Sequence, residues 1–212
     1  MVDKISNYIL DNILYKNETI EGDQRDIMLF GVTRIVEDIP KYLVIFLIGL
    51  FLNVIPQLAM VFGITLVYKT FVGGAHARTN FVCLISSIIF FISPILLAEN
   101  INLSKNILIV IATFVYLLSL YVIMRYAPAD TEEVPILNSN KRKLFKVLAF
   151  ISLNLLYVSM LLIKNKITST IILITLAYIN ICTTNIVYKF YSCKRSCDSE
   201  EFKNYFSEDM KH

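Results

Sequence analysis

Long apolar runs with few or no charges recur along this chain, separated by short polar breaks. They fall at residues 42–55, 58–71, 81–97, 107–126, 144–163 and 167–187. A helix that crosses a bilayer needs roughly 17–25 mostly apolar residues. The pattern therefore predicts an all-α, polytopic membrane protein with about six transmembrane helices, the first two of them short. Pro56 interrupts the first two runs and predicts a turn between them, whereas Pro94 predicts a kink or an end late in the third. Ahead of the runs, Ile5, Ile9, Ile13 and Leu14 recur at helical spacing with Tyr8 beside them. That spacing predicts an amphipathic helix lying on the membrane surface. Ile27, Phe30, Arg34, Glu37 and Asp38 predict a second one leading into the first span. No internal repeat or low-complexity tract interrupts the chain. It reads as one membrane domain over 1–212, with an amphipathic region (1–40), a transmembrane core (41–189) and a cytoplasmic tail (190–212).

Composition agrees with the pattern: 56% of the 212 residues are hydrophobic, with a mean hydropathy of +0.63. A net charge of +3 decides little, but its distribution decides orientation. With the N-terminus in the cytoplasm and six spans threaded, only Lys105, Lys164 and Lys166 of the 20 lysines and arginines fall in outer loops. Cytoplasmic loops carry the excess of basic residues in membrane proteins. Both termini, the segment around His76 and the loop after the fourth span are therefore expected on the cytoplasmic side. Tyr42, Tyr68, Tyr126 and Tyr188 fall near expected interfaces. No secretory signal peptide is expected in residues 1–20, which scatter charges among their apolar positions and lack a small-residue cleavage site. Four cysteines are too few for a disulfide framework, and a cytoplasmic setting keeps thiols reduced. Cys193 and Cys197 supply only two metal ligands, so neither a metal nor another cofactor is expected. Nothing points to nucleic acid. Asn53, Asn154, Asn180 and Asn185 are expected to hydrogen-bond between helices.

The chemistry concentrates between residues 69 and 83. His76 is the only histidine in the body of the chain, and Cys83 is the cysteine closest to it. An imidazole that takes a thiol proton produces a nucleophile competent at neutral pH. Seven residues along one straight helix separate the backbones by roughly 10 Å, whereas proton transfer needs about 3 Å. The pair therefore requires His76 on a turn or re-entrant segment that folds back toward the start of the third span. Gly73 and Gly74 supply the backbone freedom for that turn. Thr79 or Asn80 suits the N-cap of the Cys83 helix, and Cys83 then lies in its first turn, at the positive end of the helix dipole. Asn80, Ser86 and Ser87 are the nearby groups that could orient the imidazole. The bland reading stays beside this one: a cysteine in an apolar run is commonly a small core residue, and a glycine pair is commonly just a turn.

Two segments resemble one family. The run from Lys69 through Gly73, Gly74 and His76 to Cys83, and the run from Tyr126 through Pro128, Asp130 and Pro135 to Lys141, Arg142 and Lys143, are similar to the accessory gene regulator B (AgrB) family. The resemblance implies a bacterial membrane cysteine endopeptidase that matures a quorum-sensing propeptide and functions as a homodimer. It implies that Cys83 is the nucleophile and His76 its base, and that Gly74 matches a glycine the family needs beside its histidine. Lys69 stands where the family commonly has arginine. It keeps the charge but loses the planar fork, so it either clamps a substrate carboxylate or anchors the span at the interface. The resemblance further implies cyclisation of the cleaved peptide to a thiolactone or lactone. It also implies a propeptide with an amphipathic leader that binds the bilayer and an acidic tail. Arg78, Lys141, Arg142, Lys143 and Lys146 are candidates to attract that tail. The competing expectation is a non-enzymatic transporter or peptide exporter that uses the polar turn as a gate. Against it, the spans hold almost no buried charge, which ion-coupled transport usually needs.

Overall fold

The computed structural model describes residues 2–14, 23–75, 77, 79–101, 103–131, 136 and 138–196. The chain forms two compact units, Met1–Asn53 and Val54–His212. Its described residues form helices, with isolated backbone bridges in place of any strand.

In the first unit, α1 (Val2–Ile9) continues as a π-helical turn (Leu10–Leu14) and packs on α2 (Asp23–Phe51). Arg25 ties the two helices together by donating to the Asp11 carboxylate and the Asn7 side chain. Ile5 and Tyr8 on α1 are exposed, as an amphipathic surface helix requires. The second amphipathic helix and the first predicted span are one helix here, because α2 runs straight through Pro40. Its middle carries the ion pairs Arg34–Glu37 and Asp38–Lys41, three residues apart, and only the stretch from Tyr42 onward is uninterrupted hydrocarbon. Asn53 occupies the following turn at φ 57°, a backbone conformation asparagine tolerates, with its side chain exposed.

In the second unit the helices are α3 (Ile55–Val72), α4 (Asn80–Asn100), α5 (Lys105–Tyr126), α6 (Ser139–Leu162), α7 (Lys166–Thr183) and α8 (Asn185–Phe190). Pro56 stands in the first turn of α3, where its missing N–H costs nothing. Pro94 does not end α4, which continues to Asn100. Among the described residues, five helices (α3 to α7) are long and apolar enough to cross a membrane, one fewer than the six runs in the sequence. The protein is a multi-pass membrane protein.

α7 is the central post of this unit. Over half of it is buried (56%), against 22–33% for the other four spans, and it packs on α3, α4, α5 and α6. Its buried Thr170, Thr175 and Thr183 donate back to carbonyls one turn earlier in the same helix, while Asn180 reaches neighbouring helices. Asn180 donates to Ser119 Oγ on α5 (2.6 Å) and accepts from the Tyr68 hydroxyl on α3 (3.3 Å). Asn154 on α6 similarly accepts from Tyr116 on α5 (3.0 Å). Tyr68 is fully buried rather than interfacial. Asn185 begins α8 in an exposed position. Replacing Asn180 with leucine strands the Tyr68 hydroxyl and is expected to cost about 1–2 kcal/mol, read as an earlier midpoint in a detergent-unfolding titration. An unchanged midpoint would show that the bonds contribute nothing.

Because α4 to α7 alternate in direction, the C-terminal ends of α4 and α6 and the starts of α5 and α7 share one end of the bundle. The turn after α3, the loop after α5 and the end of α7 share the other.

Candidate functional site

The turn after α3 is pinned on two sides. The last turns of α3 widen into a π-helical segment (Thr65–Lys69) and close at Gly73, whose N–H donates to the Lys69 carbonyl (2.7 Å). The chain then runs extended against two partners. Ala129 N–H donates to the Val72 carbonyl (2.8 Å), Gly74 N–H donates to the Ala129 carbonyl (3.0 Å), and Ala75 N–H donates to the Cys182 carbonyl at the end of α7 (3.1 Å). Glycine is demanded at position 73: φ is +82°, and a Cβ there would lie 2.3 Å from the Ala129 carbonyl oxygen. Gly74 has φ +153°, with Cys182 O at 3.4 Å from an added Cβ, so its constraint is milder. The bonded segment ends at Ala75, one residue before His76. His76 and Arg78 lie outside the described residues.

Cys83 enters from the other arm of the turn. Thr79 is the N-cap of α4, accepting from Val82 N–H at Oγ1 (3.4 Å), while its carbonyl accepts from Cys83 N–H (2.9 Å). Cys83 thus sits in the first turn of α4, half-buried, as a thiol. Ser86, one turn on, shares its face. Ser86 Oγ accepts from the Tyr191 hydroxyl (2.8 Å), and Tyr191 packs against the cluster of Ala75, Ala129 and Tyr188. The face of α4 that carries Cys83 and Ser86 therefore turns toward the segment that leads into His76. Phe81, by contrast, is exposed, and so is Asn80.

Lys69 points into the bundle. Its Nζ lies 4.7 Å from the centre of the Phe90 ring on α4. Phe90 is buried, seven residues beyond Cys83 and so on its face. Among the described residues no carboxylate pairs with Lys69.

The loop after α5 is built around Asp130. Its carboxylate accepts from Ile136 N–H and from Arg142 Nη1 (both 2.8 Å), and Arg142 also donates to the carbonyls of Ile136 and Pro128. Asp130 leaves 6% of its side chain exposed and Arg142 23%. Arg142 therefore holds the loop from within. Lys146 caps α5 by donating to the Met124 carbonyl (2.8 Å), and Lys141 and Lys143 are exposed. Breaking a largely buried pair leaves a charge uncompensated, at a cost of about 3 kcal/mol. Asp130→Ala is accordingly expected to lower the unfolding midpoint and open residues 127–138 to limited proteolysis. Unchanged proteolysis would show that the loop has other support.

The remaining groups are ones the sequence did not assign to the site. Tyr188 donates to the Ala129 carbonyl (2.8 Å), and the Arg195 guanidinium lies between the rings of Tyr126 (4.6 Å) and Tyr188 (4.5 Å). Arg195 also donates to the Thr183 carbonyl. Tyr188 is buried and bonded rather than interfacial. A basic tail and a belt tyrosine gave no hint of this stack, because its partners lie in other parts of the chain. Cys197 lies outside the described residues.

The arrangement, a glycine turn bonded to two neighbouring elements and a helix-start cysteine facing it, can be compared with known proteins. The family model for accessory gene regulator B matches residues 2–185. The chain belongs to the AgrB family. An AgrB-like protein of Clostridium beijerinckii is 31% identical over 164 residues, covering 75% of this chain and 79% of its own. One of Clostridium acetobutylicum is 26% identical over 193 residues, covering 91% and 87%. The accessory gene regulator protein B of Staphylococcus aureus is 27% identical over 136 residues, covering 64% and 67%. No solved structure matches the chain. The AgrB match stops at residue 185, so Tyr188, Tyr191 and Arg195 lie beyond it.

Proposed function

We propose that this AgrB-family protein is a membrane cysteine endopeptidase that cleaves a quorum-sensing propeptide and cyclises the product. The observation that carries the reading is the bonding of residues 72–75. It holds the chain as far as Ala75, one residue before His76 in the sequence, at the end of the bundle toward which the face of α4 bearing Cys83 turns.

The steps follow from thiolate chemistry. His76 takes the Cys83 thiol proton. The sulfur attacks the carbonyl at the junction between the peptide core and its C-terminal part, forming a C–S bond. The C–N bond breaks as the imidazolium returns its proton to the leaving amine. The product is a thioester on Cys83. An internal thiol or hydroxyl of the peptide then attacks it, closes a thiolactone or lactone ring, and restores the free enzyme. Exchange of one thioester for another is nearly neutral, while hydrolysis is downhill, so water must be kept from the acyl-enzyme. A half-buried Cys83 at the end of an apolar bundle suits that need.

In this reading the site faces the cytoplasm, the propeptide leader binds the inner leaflet, and the protein works as a homodimer. Lys69 offers an inward cation on the face of α4 that carries Cys83, suited to a substrate carboxylate. Exposed Lys141 and Lys143 suit the attraction of an acidic tail. Arg142 is already engaged with Asp130, so its contribution is to the loop.

Intact-mass spectrometry tests the reaction. Purified protein in lipid vesicles, mixed with propeptide and quenched in acid, should gain the mass of the N-terminal fragment on the Cys83 peptide. Cleavage without any such adduct, under conditions that preserve thioesters, would overturn covalent catalysis.

A further inference from the structure

We infer that residues 184–196 form a bracket that fixes the arm ending at Ala75 against the helix bearing Cys83, with Tyr188, Tyr191 and Arg195 as positioning residues for the reaction proposed above. This deepens the peptidase reading and rests on it.

The bracket touches both arms of the turn. On one side, the Tyr188 hydroxyl donates to the Ala129 carbonyl (2.8 Å), the same oxygen that accepts from Gly74 N–H (3.0 Å). On the other side, Tyr191, three residues later, donates to Ser86 on the Cys83 face of α4 (2.8 Å). Cys193 N–H closes the segment on itself by donating to the Tyr188 carbonyl (2.9 Å), and Ser192 makes the bend at φ 52°. One short stretch thus grips the histidine arm through Ala129 and the cysteine arm through Ser86.

Arg195 fixes the stretch to the bundle. Its guanidinium lies between two aromatic faces, one from the end of α5 and one from α8, and it donates to the last carbonyl of α7. Stacking between rings with a carbonyl as hydrogen-bond partner is a role lysine does not reproduce. No carboxylate among the described residues pairs with Arg195, so charge pairing is not what retains it. Thr131 and Arg195 also form an antiparallel backbone bridge, which joins the bracket to the loop that holds Gly73.

Geometry of this kind acts on rate more than on affinity, since a displacement of about 1 Å between reacting groups can cost 100-fold. The test uses full-length protein in lipid vesicles. Tyr188→Phe and Tyr191→Phe each remove one hydroxyl and keep the ring. Each is expected to lower kcat for propeptide cleavage by about 10- to 100-fold with KM within about threefold, the pattern of an interaction realised in the transition state. Arg195→Lys should resemble Arg195→Ala rather than the wild type. Tyr191→Phe combined with Ser86→Ala should be no slower than either alone, because both remove one bond.

A second readout does not depend on turnover. In a background with Cys182, Cys193 and Cys197 replaced by serine, iodoacetamide should alkylate Cys83 at neutral pH faster than in the same protein carrying His76→Ala. The bracket variants should fall to the His76→Ala rate. If the wild-type and His76→Ala rates are equal, the Cys–His pair itself is absent and the peptidase reading fails. If they differ and the bracket variants keep the wild-type rate and kcat, the pair stands and the bracket is refuted.

Discussion

Cleavage of the propeptide is expected to disappear when Cys83 is replaced with alanine and to survive simultaneous Cys182→Ser, Cys193→Ser and Cys197→Ser. The asymmetry follows from what each sulfur does. Cys83 sits in the first turn of α4 on the face turned toward the segment before His76. Cys182 serves the site through its main-chain carbonyl, which accepts from Ala75 N–H, and serine keeps that carbonyl. Cys193 lies in the bracket, where its backbone N–H makes the closing bond. His76→Ala should retain the nucleophile but lose its base, for a drop of about 10²–10⁴-fold. Product quantified by mass spectrometry from vesicle-reconstituted protein decides the matter. Residual cleavage by Cys83→Ala, or loss of cleavage in the triple serine variant, would move the nucleophile elsewhere.

Gly73→Ala is expected to be nearly as damaging, through the backbone alone. An L side chain at φ +82° is strained by roughly 1–2 kcal/mol. The added Cβ would meet three backbone atoms of Ala129, at 2.3, 2.8 and 2.9 Å. Those atoms belong to a loop held by Asp130, Arg142 and Tyr188, so they cannot yield as a flexible side chain would. The bonds of Val72 and Gly74 to Ala129 must break, which frees the segment leading to His76 and should cut kcat about 100-fold or more. Gly74→Ala meets its nearest atom at 3.4 Å and should be the milder of the two. The measurement is kcat for both variants in vesicles, with membrane insertion checked by protease protection. Equal activity for Gly73→Ala and wild type would mean that the turn does not position the histidine.

Much of this was legible in the chain. Hydrocarbon runs found α3 to α7, because a bilayer imposes length and apolarity on each helix separately. Thr79 was recognisable as a cap from its identity and its place before the Cys83 helix. The first run differs from the others because it ends a longer helix: α2 keeps Arg34, Glu37, Asp38 and Lys41 in the same rod, a continuity that apolar length alone does not report. The bracket was invisible because its bonds connect residues such as Tyr188 and Ala129, 59 positions apart. A single sequence reports local periodicity, while such pairings are fixed only by packing. Arg142 shows the same limit: its charge is readable from the sequence, but its engagement with Asp130 is not.

The hydrogen bonds of the glycine turn have a consequence for transition-state stabilisation. The amides of Gly73, Gly74 and Ala75 are committed to Lys69, Ala129 and Cys182. None of the three is left over to receive the negative oxygen that would develop on the carbonyl in the proposed reaction, which assigns the glycine pair to scaffolding there and leaves the oxyanion to other donors.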